Sequence, residues 1–346
     1  MAGGNADLAL LAAAQAGDAA GIRDAIACGG DPGTRGEEGV TPLMLAAAAG
    51  SREGVAELLA AGAVWHDLDE GGNSAGEYAS GSGHAVVVRD LLDAAIRAEL
   101  VLGMASRRSE EDARRADERA ESRDYLAQNV VFQDGKILDQ NGEAVMMDWE
   151  APLMRRHAEI ICSQGGDVLN VGFGMGIVDA EIQKHNPRTH TIIEAHPDVI
   201  ASAKERGWGD KPGVRLVQGR WQDVIDELGP FDGIFFDTYG EFAEDMREFH
   251  ERLPKLLKPG GVYSFFNGLC PDNMFFNLVQ GELVRRQLAR MGIETSFEAV
   301  PMDASSDEIW KGVKNKYWHL PMYMVPTCKL PAPRAEPEEA GAPEQD

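Results

Sequence analysis

Over its first 97 residues the chain repeats itself every 33 positions, and this period constrains the fold more than any other feature. Gly17, Gly50 and Gly83 are 33 apart, and so are Ala14, Ala47 and Ser80. Gly29 pairs with Gly62 at the same interval, and Thr41 with Ser74. Between these marks the apolar spacing predicts two helices per unit: 8–16 with 19–27, 42–49 with 52–60, and a weaker third pair, 75–80 with 85–96. A unit this small cannot bury its apolar face alone. Such units stack side by side, and the many alanines and glycines here let the stacked helices approach closely.

The second unit opens on Thr41-Pro42-Leu43-Met44-Leu45-Ala46-Ala47. This resembles the ankyrin T-P-L-H-x-A signature, with Met44 where the histidine stands. Residues 1–100 are therefore expected to form an ankyrin repeat domain; a generic Ala-rich helical bundle is the plainer alternative. Residues 1–99 hold 15 Asp+Glu against 5 Lys+Arg, a net −10 of the whole chain's −24. That balance argues against direct contact with nucleic acid or an anionic membrane surface, and favours a cationic partner. No stretch approaches the ~18 uninterrupted apolar residues of a membrane helix. The opening Met1-Ala2-Gly3-Gly4-Asn5-Ala6-Asp7 lacks the basic region of a secretory signal. Cys28, Cys162, Cys270 and Cys328 are scattered with no C-x-x-C pair, so neither a metal site nor a disulfide framework is expected. A reducing compartment suits this usage, the cytoplasm first and the nucleus second.

Residues 101–124 are dense in alternating charge and read as a solvated helical linker with i,i+4 pairs. Gln133-Asp134-Gly135-Lys136 and Gln140-Asn141-Gly142-Glu143 are turn signals between short apolar runs, predicting hairpins. From about Glu150 strands alternate with helices. Strands are predicted at 168–171, 189–194, 214–218, 231–236 and 261–266. Helices are predicted at 175–184, 199–207, 221–228, 243–257 and 272–291, with a closing antiparallel hairpin of 295–302 and 317–324. This alternation predicts a parallel sheet covered by helices on both faces. Residues 326–346 are Pro-rich and acidic and read as a disordered tail.

Chemistry concentrates at the strand ends. Gly172-Phe173-Gly174-Met175-Gly176 follows a buried strand and opens a helix, where glycines let backbone N–H groups approach a ligand. A dinucleotide fingerprint would want glycine at Ile177, so the loop alone is a weak signal. Glu194 lies 20 residues past Gly174 at the end of the next strand, suited to accept from ribose hydroxyls. A solvated strand-end Glu is the plainer reading. Trp221 and Gln222, after the third strand, could offer an apolar face and an amide to an adenine ring; core packing of Trp221 is the alternative. Asp237 ends an apolar strand, where a carboxylate without a partner is costly. In Val145-Met146-Met147-Asp148-Trp149-Glu150-Ala151-Pro152-Leu153-Met154 two carboxylates, an aromatic and three thioethers crowd together. On composition alone the segment reads equally as the start of an amphipathic helix with Pro152 in its first turn.

Taken in order, these motifs resemble guanidinoacetate N-methyltransferase. With them run Val168-Leu169-Asn170-Val171, Ile193-Glu194, Gly219-Arg220-Trp221, Phe231-Asp232-Gly233-Ile234-Phe235-Phe236-Asp237-Thr238-Tyr239 and Leu257-Lys258-Pro259-Gly260-Gly261-Val262. With ankyrin-like repeats in front, the chain resembles the type IV protein arginine N-methyltransferase family, over residues 125–325. The resemblance implies a class I, Rossmann-like, seven-stranded methyltransferase domain after the repeats. It implies S-adenosylmethionine as cofactor and methylation of the δ (N5) nitrogen of arginine in a basic protein, with a ribosomal protein among the candidates. It places Met175, Gly176, Ile177, Val178, Asp179 and Ala180 with Gly172 along the cofactor, Glu194, Ala195 and His196 at its ribose, and Trp221 and Gln222 at its adenine. Met146, Met154 and Tyr125 are placed around it. Glu150 and Asp237 match the two carboxylates that grip the guanidinium, with Asp237 also at the cofactor. Asn267 falls on the substrate side. The repeats offer a protein-docking surface. This sequence departs after Tyr239, with Gly240-Glu241-Phe242 where the guanidinoacetate enzyme has Pro and Leu; a more open mouth there suits a peptide. Two other functions fit less well: methylation of a small guanidino compound, and an ankyrin adaptor with an inactive methyltransferase fold.

Overall fold

The computed structural model of the chain describes residues 3–106, 125–239, 243–304 and 306–333. Its first part is a stack of helix pairs. α1 (Gly3–Gln15) pairs with α2 (Ala19–Ala27), α3 (Pro42–Ala48) with α4 (Arg52–Ala60), and α5 (Ala75–Gly81) with α6 (Ala85–Ser106). Short polar residues open the helices as the sequence requires. Asp18, Thr41, Ser51 and Ser74 each accept a backbone N–H from the first turn. Met44, standing at the signature's histidine position, takes a backbone bond too: its Sδ accepts from Thr41 N at 3.3 Å. Leu10, Ile22, Leu43, Leu58 and Leu91 form the core between the pairs.

α6 runs to Ser106, past the domain boundary expected at residue 100. No proline interrupts it, and residues 97–102 are mostly good helix formers. The rest of the expected charged linker, 107–124, lies outside the described residues.

The second part starts with a small antiparallel sheet of β1 (Val131–Gln133), β2 (Lys136–Leu138) and β3 (Ala144–Met147). The two predicted turns join these strands, with Asp134, Gly135 and Gly142 at positive φ. The large sheet follows. Its strands are β4 (Asp167–Val171), β5 (Thr189–Glu194), β6 (Val214–Gln218), β7 (Phe231–Phe236), β8 (Leu257–Phe265), β9 (Glu294–Pro301) and β10 (Met322–Lys329). They lie in the order β6-β5-β4-β7-β8-β10-β9. The first five are parallel, and β10 pairs antiparallel with both β8 and β9. Between them run α7 (Ala151–Ile161), α8 (Ile177–Lys184), α9 (Pro197–Glu205), α10 (Trp221–Val224), α11 (Ala243–Leu256) and α12 (Met274–Arg290).

Side-chain alternation along the strands builds a core on each face. Val168 and Phe235 join Leu153, Met154 and Ala158 of α7 on one side. Leu169, Val171, Ile234 and Phe236 face Phe249 and Leu253 of α11 on the other.

The closing hairpin is where the sequence reading slips. Its first strand is nearly as expected, but the second starts at Met322 rather than 317 and ends at Lys329. The tail expected from 326 therefore starts too early. Proline at 326 read as a breaker, because proline cannot donate to a ladder. Its ladder partner is Phe297 of β9, while the ladder to β8 is limited to Cys328 and Lys329, so a missing N–H at 326 breaks no bond on that side. Residues 317–320 form a loop instead, held by a bond from His319 N to Pro271 O and one from Trp318 Nε1 to Leu320 O. Residues 334–346 lie outside the described residues.

Candidate active site

The chain leaves β4 toward β5 and β6 on one side, then returns to lay β7 on the other. Between the carboxyl ends of β4 and β7 the sheet order reverses, and ligands of open α/β sheets bind in that crevice. Two loops meet there. Gly172 follows β4 with φ +96, and a Cβ on it would overlap the carbonyl of Asp237. Asp237 follows β7 and donates its N–H to Val171 O at 2.9 Å. Only a glycine at 172 lets these loops touch. Met146 closes the other flank: its Sδ packs on Gly174 and accepts from Met175 N at 3.2 Å.

A cavity of about 260 Å³ opens at this point, framed by the strand ends, β3 and the segment around Tyr125. Glu194 lies in its wall at the end of β5 and is buried. Its Oε2 accepts from Phe173 N at 2.8 Å and its Oε1 from His196 N at 2.6 Å. Burial raises its pKa, and those backbone donors, with Gly174 N, pull the other way. The carboxylate is thus fixed in place by backbone, with its remaining lone pairs at the cavity wall.

Glu150 sits across from it, 4% exposed, on the turn Asp148–Glu150 that follows β3. Its Oε1 accepts from Met147 N at 2.9 Å and from the Tyr317 hydroxyl at 2.5 Å. Burial first, and the charge of Asp237 second, hold its carboxyl well above the usual carboxylate range. Burial does the same to Asp237. Two carboxylates in one apolar cavity repel each other's ionisation, and a bound cation relieves both. A planar guanidinium can donate to two carboxylates at once, so the pair can hold a group of that kind.

Of the residues singled out from the sequence, Tyr125, Met146, Glu150, Gly172, Val178, Glu194, Ala195, Trp221 and Asp237 come together around this cavity. Trp221 both lines the cavity and packs in the core. One edge reaches the cavity, while its ring packs on Phe236 and Phe249 at 5.9 and 5.2 Å. The others lie off the wall. Met154 is fully buried in the α7 core. Met175 contributes through its backbone bond to Met146, Gly176 is the left-handed residue starting α8, and Ile177 packs on the core. Ala180 faces outward. Gln222 is not in the wall either.

Asp179 is a correction with a clear cause. It is fully buried, and Asn170 Nδ2 donates to both its oxygens, at 2.9 and 3.0 Å. His190 Nε2 stands 3.1 Å away. Asn170 Nδ2 also donates to Gly172 O, so Asp179 braces the glycine loop from behind. His196 is likewise behind the wall. It caps α9, its ring lies 4.8 Å from that of Tyr125, and its Nε2 meets Gln128 O. Asn267 is 1% exposed and set behind the wall, with its Nδ2 on Met324 O and its N–H on the Tyr323 hydroxyl.

Sequence reasoning missed Tyr317, Tyr239 and Phe266 in the wall. Tyr239 stood inside a quoted motif, two residues past Asp237. Tyr317 carries no local signal, because it is 167 residues from the Glu150 it touches.

A model of the guanidinoacetate N-methyltransferase family matches residues 115–328, and one of ankyrin repeats in three copies matches residues 10–100. Curated relatives share the name Protein arginine N-methyltransferase 2. The one from Aspergillus oryzae is 41% identical over 176 residues, 49% of this chain and 42% of its own length. That from Yarrowia lipolytica is 36% identical over 51% of this chain and 40% of its own length. That from Cryptococcus neoformans is 39% identical over 49% of this chain and 51% of its own length. The matches thus span about half or less of those relatives. The first family match runs from before Tyr125 to beyond Tyr317 and so encloses the whole cavity wall; with that span and that pair of carboxylates, the chain belongs to the guanidinoacetate N-methyltransferase family, with ankyrin repeats set in front of the family's domain.

Proposed function

We propose that this chain methylates the δ (N5) nitrogen of arginine in basic protein targets, a ribosomal protein among the candidates, with S-adenosylmethionine as methyl donor. The observation that carries the reading is the Glu150–Asp237 pair, two buried carboxylates facing one cavity and both held above their usual range. The names of the relatives point to protein arginine as the substrate class.

The cavity fits the donor. Gly172 leaves no room for a side chain between the loops, and Glu194 presents a fixed, buried carboxylate at the end of β5. Glu194 would hold the ribose hydroxyls, Trp221 would flank the adenine, and the Gly172–Gly174 backbone with Met146 would line the remainder. When bound, the donor supplies an electrophilic methyl group carried on sulfonium.

The chain's own residues must then make arginine a nucleophile, which it ordinarily is not, because its lone pairs are delocalised and it stays protonated. Glu150 and Asp237 hold the guanidinium in one orientation by charge-assisted bonds. They draw positive charge toward the nitrogens they grip and leave the remaining nitrogen freer to attack. Tyr317 donates to Glu150 Oε1 and keeps that carboxylate aimed. Asp237 takes the proton released from the methylated nitrogen. Apolar walls from Val171, Phe173 and Phe266 limit water around the pair and strengthen each of these interactions.

The test is incubation with isotope-labelled S-adenosylmethionine and either a cell extract or guanidinoacetate, followed by fragmentation mass spectrometry. Label on N5 of a protein arginine is the expected result. Label on a terminal nitrogen, or on no protein, overturns the reading. The family match itself favours a second reading, a small guanidino compound as substrate; label on guanidinoacetate alone would establish that instead.

A further inference from the structure

The repeats do not hang free of the catalytic domain. Phe275, at the start of α12, is 3% exposed and belongs to the core of the repeats together with Ala75, Ala79 and Leu43. Gly76 of α5 lies so close to its ring that a Cβ there would overlap it. Trp65, from the loop after the second repeat, meets Phe275 and Phe276 edge-on, with centroids 6.3 and 5.5 Å apart.

One carboxylate joins the two parts. Glu77 closes the capping box of α5, its Oε2 accepting from Ser74 N at 3.0 Å and from the Ser74 hydroxyl. The same Oε2 accepts from Asn273 Nδ2 at 3.1 Å, and its Oε1 accepts from Phe275 N at 2.7 Å. Asn273 Nδ2 also donates to Gly72 O at 3.3 Å, and Asn273 Oδ1 caps α12 by accepting from Phe276 N. A single side chain of the third repeat therefore completes the first turn of a repeat helix and of a helix in the catalytic domain.

From that junction the chain runs straight back to the cavity. Asn277 Nδ2 holds Leu269 O at 2.6 Å, and Pro271 O accepts from His319 N. Asn267 N–H binds the Tyr323 hydroxyl at 2.6 Å, and the residue before it, Phe266, is in the cavity wall. Segment 266–273 is thus pinned at its far end by the repeats and carries the wall at its near end.

We infer that the third repeat is a built-in part of the substrate wall: Glu77 is a positioning residue that holds segment 266–273, and through Phe266 the guanidino side of the cavity, in its working place. The role at the substrate rests on the methylation reading; the role in holding the segment does not. The faces of Trp65, Gly76 and Glu77 are already occupied by α12, so a protein partner of the repeats must use another surface.

Hydrogen exchange on the full chain tests the first part whatever the reaction is. Losing a helix cap opens the local equilibrium about fivefold, so Glu77→Ala should speed exchange of the amides at 267–276 by about that factor or more. The first turns of α1 and α3 should stay as protected as before. Asn273→Ala, which removes the same tie from the catalytic side, should act alike, and Glu77→Gln, which keeps an acceptor for Phe275 N, should restore much of the protection. Unchanged exchange in both alanine variants overturns the inference. With an arginine-rich peptide as probe, Glu77→Ala should raise KM about fivefold while kcat and the calorimetric Kd for S-adenosylmethionine move less than about twofold, following the same cap-sized loss. Faster exchange with an unmoved KM would sink the role at the substrate wall. No turnover of any guanidino probe by the unaltered chain would instead sink the methylation reading, leaving exchange to decide the positioning.

Discussion

Glu150 is a residue whose cost and use have the same source. Its carboxyl is pushed up to about 8, because burial and the nearby Asp237 charge both oppose ionisation. An unfolded glutamate ionises near pH ~4.3. The folded protein therefore binds the proton more tightly, and this group costs stability increasingly as pH rises from about 4 toward 8. Glu150→Gln should raise Tm far more at pH 8 than at pH 5, measured by calorimetry without ligand. An equal Tm change at both pH values would contradict the burial argument. The same substitution should depress turnover, since an amide cannot balance the guanidinium charge. Asp237→Ala should lower kcat by about 10²–10⁴-fold, the usual worth of a positioned base, with S-adenosylmethionine affinity largely kept. Near-normal turnover in that variant would remove Asp237 from its role. Glu194→Ala should weaken cofactor binding in calorimetry, and an unmoved Kd would refute its ribose contact.

At the scale of elements, the site depends on how closely two loops can approach. Gly172 is at φ +96 and directly faces the Asp237 backbone, so two separate constraints exclude a side chain there. Gly172→Ala would force the β4 and β7 loops apart. It should cost about 1–3 kcal/mol of stability, the range for a strained backbone position, and reduce cofactor affinity more than it reduces secondary structure. Equilibrium denaturation and calorimetry on one preparation would read both. The brace behind this loop, Asp179 through Asn170 to Gly172 O, explains why an acidic residue on the first turn of α8 turns inward rather than toward a ligand. Both its oxygens already accept from Asn170, with His190 packed beside them.

At the scale of the whole molecule, charge and docking act together. The repeats carry −10 of the chain's −24, and α12 joins them to the catalytic domain. A negative domain held in a set place beside the proposed guanidinium site should steer a basic protein toward it. Steering of this kind is screened beyond the Debye length, about 10 Å at 0.1 M salt. Raising salt from low to physiological strength should thus lower kcat/KM for a basic protein substrate severalfold, while the value for a small neutral zwitterion such as guanidinoacetate stays nearly flat. Parallel salt dependence for both would mean that the repeats do no steering.

Local pattern determined much of this protein. The 33-residue period, the polar caps, the strand–glycine–helix unit, and the acidic residues ending β5 and β7 are short-range signals, and each corresponds to an element or a wall residue in the structure. Asp237 was legible because a carboxylate ending an apolar strand is costly without a partner, Glu194 by its spacing from the glycine loop, and Glu150 only through the family resemblance. What the sequence could not carry is anything set by which distant segments meet. Tyr317 reaches Glu150 across 167 residues, Asn273 reaches Glu77 across 196, and the last strand slid to 322–329 because its ladder partners made a proline harmless. The resemblance put Asp179, His196 and Asn267 at the ligands, and the structure gives each of them hydrogen-bond partners behind the cavity wall, since only packing decides which way a polar side chain faces. Propensity and period act over a few residues, whereas burial and hydrogen-bond partners are assigned only when the whole chain has closed on itself.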